Sequence, residues 1–294
     1  MGKDYLIRAV DEGKNVRLFL ARTTLTVDEM RKRHNTSATA SAAVGRLLTA
    51  ALIMGADLKG EEDTLTLKLI GDGPIEGIVA TADAKGNGRA YPLNPQADLP
   101  SKSPGKLDVG SLVGKNGYLE VVKDLGLKQP FVGRVELVSG EIAEDLAYYF
   151  LKSEQIPSLV SLGVLVDKDL SIKAAGGVLV QAMPGADDVL LEKIETNILD
   201  LGPISGVIES GVSLEYVLDK IMQGKDYEIL DRKDLAFKCS CSRKRLKGIL
   251  AGFSDEELND IYNNEGKIEV RCNFCNEVYT YFPEEIAEER SKKP

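Results

Sequence analysis

All four cysteines of the chain lie close to its C-terminal end, in two short motifs. Residues 239–241 read Cys-Ser-Cys, and residues 272–275 read Cys-Asn-Phe-Cys after an intervening segment, 242–271. Two closely spaced pairs of cysteines are typical of a four-thiolate zinc site. We therefore predict that one Zn²⁺ is bound by Cys239, Cys241, Cys272 and Cys275. Four unrelated buried thiols are a poorer interpretation, because charged and polar residues flank both motifs.

The segment that carries the cysteines is small. Residues 231–294 are too few for an apolar core alone to give more than marginal stability. Bound zinc contributes roughly 10–16 kcal/mol of apparent binding free energy in small zinc domains, and most of it is available to folding. We therefore expect residues 231–294 to form a zinc-binding domain that depends on its metal.

The chemistry of the cysteines is compatible with two kinds of zinc site. Zinc ligands are thiolates, which are the form of cysteine that oxidants attack. The basic residues between Arg243 and Lys247 lie beside the first motif, and positive charge there is expected to favour thiolates. A site that responds to oxidants and a static structural site both fit these observations.

Composition limits the class of protein. Apolar residues make up 43% and charged residues 28% of 294 residues, which is ordinary for a globular protein of about two domains. The net charge of −9 argues against nucleic acid as the main partner, because binding phosphate requires Lys and Arg. No run approaches 18 uninterrupted apolar residues, and the N-terminus has no signal-peptide pattern. We expect no membrane partner and a cytoplasmic location.

Residues 1–183 predict an α+β core in which β-sheets pack against helices. Apolar patterning and turn residues predict strands at 4–10, 15–22, 64–70, 75–82, 88–92, 118–122, 131–138, 158–166 and 171–181. Helices are predicted at 27–34, 37–54 and 141–152, and residues 93–116 are expected to form a long loop. The helix at 37–54 is rich in alanine, and we interpret it as a buried core helix.

The rest of the chain divides into a helical middle segment, 184–230, and the small cysteine domain. Glycine and proline interrupt short amphipathic helices in the middle segment, and helices this short need a surface on which to dock. In the cysteine domain, Ser242 is predicted to cap a helix over 243–250, and Ser254 with Glu257 forms a capping box for a second helix. Strands at 267–271 and 277–282 place the second cysteine motif at the tip of a hairpin. Residues from 284 onward are expected to form a charged tail.

Catalytic chemistry is poorly supported, and we expect the protein not to be an enzyme. The acidic residues of segment 141–154 are explained by a solvated helix face and by charges at a helix start. The single histidine, His34, is distant in sequence from every cysteine, which leaves no local Cys–His nucleophile. Residues 71–74, Gly-Asp-Gly-Pro, do not match a phosphate-binding loop.

Several motifs together resemble the 33-kDa heat-shock protein family of redox-regulated chaperones. Besides the two cysteine motifs, the resemblance rests on five stretches, namely Gly45–Ala51, Gly71–Pro74, Ser153–Ser158, Leu162–Val164 and Ala175–Gly177. It extends over essentially the whole chain. One departure is Ala90, where the family pattern leads us to expect glycine.

The resemblance implies a cytosolic, ATP-independent holdase that is inactive when its four cysteines hold zinc. It implies that oxidants form Cys239–Cys241 and Cys272–Cys275 disulfides, release zinc and unfold the C-terminal domain and the middle segment. The core would then bind unfolding client proteins and mediate formation of a homodimer, and clients would pass to ATP-dependent foldase chaperones.

Two other readings remain open at this point. A zinc-ribbon protein that binds nucleic acid is supported by the basic run 243–247 but opposed by the acidic net charge. A thiol–disulfide oxidoreductase is opposed by the predicted position of Cys272 and Cys275 on a hairpin, because thioredoxin-like enzymes carry this motif where a strand leads into a helix.

Overall fold

The computed structural model describes residues 2–103, 105–254, 256–259, 262 and 266–291. The chain divides into two compact units, Met1–Lys238 and Cys239–Pro294, called here the N-terminal unit and the C-terminal unit. Sheets packed with helices make this an α+β protein, as predicted. A separate middle domain bounded at residues 183 and 230 stays a prediction.

The first sheet of the N-terminal unit has five strands. These are β1 (Tyr5–Asp11), β2 (Val16–Arg22), β8 (Ser158–Val166), β9 (Ile172–Ala182) and β10 (Tyr227–Asp234). They are antiparallel and lie in the order β10-β1-β2-β9-β8. Four of the strands agree with the predicted ranges to within one residue. The fifth strand, β10, was not predicted. It is a mostly exposed edge strand with charges of both signs, so its sequence lacks a strand-like apolar pattern, and its conformation depends on pairing with β1.

The second sheet has six strands. These are β3 (Thr64–Ile70), β4 (Gly77–Asp83), β5 (Asn87–Pro92), β6 (Tyr118–Asp124), β7 (Phe131–Glu136) and β11 (Ala236–Phe237). Their order is β11-β5-β4-β3-β6-β7, and only the short β11 runs parallel to its neighbour. The departure at Ala90 falls in β5, where its methyl group is buried. The predicted loop 93–116 is wrong in part, because it contains the helix α3 (Val109–Val113), which is too short for a periodic apolar signal.

One apolar helix forms the centre of the N-terminal unit. Helix α1 (Thr24–His34) leads into α2 (Ala38–Gly55), and Ser37 caps α2 by accepting a hydrogen bond from the Ala40 N–H at 3.1 Å. Strands of both sheets contact α2. A Cβ atom on Gly45 would lie only 2.6 Å from Val27 Cγ1 and 2.9 Å from Val164 Cγ2. Glycine at this position therefore lets α2 approach its neighbours closely.

Helix α2 is also long and apolar enough to cross a membrane by length and composition, and no other helix in the described ranges is. In this structure 89% of it is buried inside the protein. The predicted core helix is thus confirmed.

The predicted helix at 141–152 is altered at its end. Helix α4 (Ala143–Tyr149) continues into a π-helical turn, Phe150–Glu154. Asp145 is fully buried, and its carboxylate accepts backbone N–H hydrogen bonds from Val138, Ser139 and Ile142 at 2.7, 3.0 and 3.1 Å. This carboxylate holds the chain that enters α4. A charge at the helix start is thus confirmed for Asp145, whereas a solvated helix face is wrong for this residue, because its side chain is buried.

Three helices of the middle segment cover the other face of the first sheet. They are α5 (Asp188–Leu201), α6 (Ile204–Glu209) and α7 (Leu214–Met222). Their buried side chains form one apolar cluster with residues of β1, β2 and β9, among them Ile194, Ile221, Ile7, Leu18 and Val178. The side chain of Asp187 caps α5 and that of Ser213 caps α7. The helices are therefore held mainly by burial of apolar side chains against the sheet.

Tyr5 adds a polar contact between β1 and the start of α7. The Leu214 backbone N–H donates to the Tyr5 hydroxyl at 2.9 Å, and this hydroxyl donates to Glu215 at 3.0 Å. The Arg232 guanidinium lies 4.2 Å from the centre of the Tyr5 ring. Since Tyr5 and Leu214 are both buried, the hydroxyl satisfies a backbone donor that would otherwise lack a partner.

The described part of the C-terminal unit contains helices and a hairpin around a small core. Its described elements are α8 (Arg243–Leu250), helical residues 256–259, β12 (Ile268–Arg271), β13 (Val278–Tyr281) and a C-terminal helix, Pro283–Arg290. The capping box is confirmed, since Ser254 and Glu257 exchange side-chain and backbone hydrogen bonds. The predicted end of this second helix, at 263–265, lies outside the described residues.

The prediction of a charged tail from residue 284 is wrong. The segment forms the C-terminal helix because Pro283 occupies its first turn, the Glu285 carboxylate accepts from the Phe282 N–H at 3.1 Å, and Ile286 packs into the core. Ile286 is the one buried side chain of this highly charged helix, so the sequence shows no apolar periodicity from which a helix could be predicted.

The central packing of α2 predicts a large effect of truncating one of its side chains. Leu48 is fully buried, so Leu48→Ala should lower the free energy of unfolding of the N-terminal unit by about 2–5 kcal/mol. Urea titration followed by circular dichroism measures this change. Leu127→Ala removes a side chain that is 60% exposed and should change stability by less than about 0.5 kcal/mol. Equal effects of the two substitutions would contradict the described core.

The contact at Tyr5 predicts that Tyr5→Phe weakens the docking of α7 without unfolding the sheets. The substitution leaves the buried Leu214 N–H without its acceptor, at a cost of about 1–3 kcal/mol. Trypsin should then cleave faster after Lys193 and Lys220, which are exposed on α5 and α7. Tyr216→Phe is the matched control, because that ring is 46% exposed. Unchanged cleavage of Tyr5→Phe would show that the hydroxyl does not hold α7.

Candidate metal centre

The four cysteines lie on two structural elements of the C-terminal unit. Cys239 and Cys241 immediately precede α8, whose first turn is fixed by a hydrogen bond from the Arg245 N–H to the Ser242 hydroxyl at 3.2 Å. Cys272 and Cys275 lie in the turn that joins β12 to β13. The predicted position of the second motif at the tip of a hairpin is therefore confirmed.

Backbone hydrogen bonds shape the turn that carries the second motif. The Cys272 N–H donates to the Glu277 carbonyl at 2.9 Å, and the Asn276 N–H donates to the Cys272 carbonyl at 2.8 Å. Asn276 adopts a left-handed conformation with φ of 59°, which asparagine tolerates better than most residues. The turn thereby brings the sulfur atoms of Cys272 and Cys275 to the same side.

The structure brings all four predicted ligands together. Their Sγ atoms lie within 4.8 Å of one another, with 3.7 Å between Cys239 and Cys272 and 3.2 Å between Cys241 and Cys275. Four sulfurs at the usual Zn–S distance of about 2.3 Å in a tetrahedron would be about 3.8 Å apart. The cluster therefore fits a single four-coordinate metal ion bound by thiolates. Within the described parts of the chain, no other Cys, His, Asp or Glu residues form such a group.

The surroundings of Cys275 disfavour the thiolate form of its side chain. Only 5% of Cys275 is exposed. Burial raises the pKa of its thiol above the ordinary value, a backbone hydrogen bond at Glu277 lowers it in part, and hydrogen bonds with the other three cysteines raise it further. The thiolate form of Cys275 is therefore disfavoured by its surroundings, and binding of a metal ion would displace its proton.

Tyr279 is a further neighbour of the sulfur cluster that the sequence does not single out. Its hydroxyl lies 3.3 Å from Cys241 Sγ, and the hydrogen bond with Cys241 raises the pKa of Tyr279 above the ordinary value for a phenol. The sequence offers one indication of this contact. Tyr279 lies four residues after Cys275, on the strand that pairs with β12 directly beside the cysteine turn. A tyrosine in a strand is so common that this spacing alone could not identify it.

The basic run beside the first motif forms ion pairs with acidic residues near the end of the chain. Arg243 forms an ion pair with Glu285 at 2.7 Å, and its guanidinium lies 4.6 Å from the centre of the Tyr281 ring. Lys247 lies 3.7 Å from carboxylate oxygens of both Glu288 and Glu289. These two cations pair with carboxylates of the C-terminal helix, and the expectation that positive charge here favours thiolates stays a prediction. The same pairs leave less positive charge for binding nucleic acid.

Comparison with known proteins places these features in one family. A sequence profile described as Hsp33 protein matches residues 4–282, a range that includes all four cysteines and ends just before the C-terminal helix. The chain is 50% identical over 279 residues to a protein named 33 kDa chaperonin from Desulforamulus reducens, covering 95% of this chain and 94% of that protein. It is 47% identical over 283 residues to the 33 kDa chaperonin of Bacillus subtilis, covering 96% and 97%.

Solved structures give the same result. The crystal structure of the 33 kDa chaperonin from Thermotoga maritima matches with a TM-score of 0.90 at 39% sequence identity, and the match covers 99% of both chains. The chain therefore matches these proteins in sequence and in fold over nearly its full length. It belongs to the Hsp33 family of chaperones.

Proposed function

We propose that this chaperone is a redox-regulated, ATP-independent holdase that is inactive while its cysteines hold zinc. The observation that carries the proposal is the convergence of four sulfur atoms within 4.8 Å in a unit whose two cysteine motifs come from separate elements. Membership of the Hsp33 family supplies the chaperone activity, and the cysteine cluster supplies a means of regulating it.

In the reduced state, Cys239, Cys241, Cys272 and Cys275 would hold the metal. Bound Zn²⁺ supplies a positive charge that stabilises four adjacent thiolates and links α8 to the β12–β13 hairpin. The apolar core of this unit is small, with Leu250, Ile268, Tyr281 and Ile286 among its members. Metal ligation would therefore contribute a large share of the folding free energy of the unit.

Peroxide would remove these ligands by oxidising pairs of thiolates. One thiolate sulfur attacks a peroxide oxygen and becomes a sulfenic acid as hydroxide leaves. A second thiolate attacks that sulfur, and a second hydroxide leaves as the disulfide forms. Two electrons pass from sulfur to peroxide for each disulfide. The pairings Cys239–Cys241 and Cys272–Cys275 follow from the family resemblance, and separations below 4.8 Å mean that local movement suffices.

Loss of the C-terminal fold would reach the middle segment through the chain itself. After α7 the chain forms β10 along the edge of the first sheet, then β11, and then reaches Cys239. Residues 187–224 are held on the sheet mainly by burial of apolar side chains, with polar contacts such as those of Tyr5 and Arg22 at the start of α7. We propose that they lose their docking when the C-terminal unit unfolds.

The client-binding surface would be the apolar face exposed in this way. Helices α5, α6 and α7 bury side chains of the first sheet that include Ile7, Leu18, Leu20, Val178 and Val180. An exposed apolar face of this kind binds the apolar segments of unfolding proteins. The cytoplasmic location, the active homodimer and the transfer of clients to ATP-dependent foldases belong to the same proposal and rest on the family resemblance.

Removing one ligand should abolish stable metal binding. Cys272→Ser leaves three thiolates, and we expect zinc content after dialysis to fall from one ion per chain to well below half. The C-terminal unit should then be digested rapidly by protease. Asn273→Ala changes an exposed residue of the same motif and should keep its zinc. Full zinc content in Cys272→Ser would show that the four cysteines do not form one site.

The chaperone activity itself is tested by light scattering from a thermally unfolding client protein. Reduced, zinc-loaded protein should leave aggregation unchanged, whereas protein treated with peroxide at elevated temperature should release zinc and suppress most of the scattering without ATP. Zinc release measured in the same samples links the two events. Release of zinc without any protection of the client would refute the proposed function and leave a zinc protein of another kind.

A further inference from the structure

Tyr279 lies where it can act on one particular cysteine. It belongs to β13 and pairs with Val270 of β12, so the hairpin that carries the second cysteine motif fixes its position. The Tyr279 hydroxyl nevertheless contacts the first motif, since it lies 3.3 Å from Cys241 Sγ.

The direction of this hydrogen bond follows from the ionisation of a metal ligand. A cysteine that binds zinc is a thiolate and carries no proton. The Tyr279 O–H must therefore be the donor and the Cys241 sulfur the acceptor whenever the cysteines hold metal. Hydrogen bonds from neighbouring groups to metal ligands tune the properties of the ligand atoms.

A thiolate that accepts a hydrogen bond is a weaker nucleophile. Attack on peroxide uses a sulfur lone pair, and the rate of this step depends on the intrinsic nucleophilicity of the sulfur. Part of the electron density of the Cys241 thiolate is directed toward the Tyr279 hydroxyl. That hydrogen bond must weaken as sulfur forms a bond to oxygen, which adds to the barrier of the reaction.

We propose that Tyr279 protects Cys241 from oxidation by donating a hydrogen bond to its sulfur, and thereby raises the amount of oxidant needed to activate the chaperone. This inference rests on the proposed redox function and assigns a positioning residue to it. In the step that Tyr279 slows, the Cys241 sulfur attacks one oxygen of hydrogen peroxide and the O–O bond breaks. The sulfur keeps that oxygen as a sulfenic acid, and the second oxygen leaves as hydroxide.

The chain offers a matched control for the loss of a tyrosine hydroxyl. Tyr281 lies two residues further along the same strand, and its hydroxyl donates to the Arg243 carbonyl at 2.9 Å. Tyr281→Phe therefore removes one hydrogen bond from the same unit without removing a donor to sulfur. Because Tyr281 is fully buried, Tyr281→Phe should destabilise the unit at least as much as Tyr279→Phe.

The experiment compares full-length, reduced, zinc-loaded wild-type protein with Tyr279→Phe and Tyr281→Phe. Modification of Cys241 is followed by mass spectrometry under hydrogen peroxide and, separately, under iodoacetamide, which alkylates thiolates without oxidising them. Zinc release under peroxide is followed with a chromogenic chelator. Thermal unfolding of each reduced protein is recorded in parallel.

We expect Tyr279→Phe to react roughly fivefold faster at Cys241 with both reagents, the equivalent of about 1 kcal/mol for one hydrogen bond at 1.36 kcal/mol per tenfold. Tyr281→Phe should react at the wild-type rate. Equal rates for wild type and Tyr279→Phe would overturn the inference. A similar acceleration in Tyr281→Phe would also overturn it, because loosening of the unit would then be the cause.

Failure of the proposed function gives a different result. If wild-type protein keeps its zinc under peroxide, the redox function fails. The iodoacetamide rates still decide whether the Tyr279 hydroxyl lowers the reactivity of Cys241.

Discussion

The fold of the C-terminal unit depends on keeping four sulfur atoms close together. Like-charged thiolates at separations of 3.2–4.8 Å repel one another, and burial of Cys275 adds the cost of removing its charge from water. A bound cation reverses the sign of this contribution. We propose that metal binding would turn a cluster that opposes folding as bare thiolates into one that stabilises the unit. Any reaction that consumes thiolates removes the same stabilisation.

The two units differ in what stabilises them. The N-terminal unit buries α2 between two sheets, and residues of this apolar core contribute to stability whatever the state of the cysteines. The C-terminal unit has a small apolar cluster and ion pairs at its surface, such as Arg243 with Glu285, which contribute little individually. Oxidation should therefore unfold the C-terminal unit while the sheets of the core persist. The middle helices fall between these extremes, because their docking depends on a single apolar face and on contacts such as that of Tyr5.

Much of this arrangement could be predicted because it is local in the sequence. Most strands are marked by apolar runs bounded by turn residues, Ser213 and Ser242 cap the helices that follow them, and the spacing of the cysteines indicates the candidate metal site. The features that could not be predicted depend on contacts distant in sequence. Strand β10 is defined by its pairing with β1, and the C-terminal helix is defined by contacts with α8.

The site shows the same limit. The four ligands are evident from residue type and spacing alone, whereas the neighbour of Cys241 is not. Tyr279 becomes visible only when the hairpin has folded and the first cysteine motif has been placed beside it. The partners of the basic run could not be predicted either, because the acidic residues that pair with Arg243 and Lys247 lie about 40 residues further along the chain.

The central claim is that the state of four cysteines controls whether the middle helices remain docked on the core. Hydrogen exchange of residues 187–224, measured by mass spectrometry before and after peroxide treatment of zinc-loaded protein, tests it most directly. The account predicts slow exchange in the reduced protein and a marked acceleration after oxidation, with α2 and the strands of both sheets remaining protected. Unchanged exchange in residues 187–224 after the zinc has been released would contradict it.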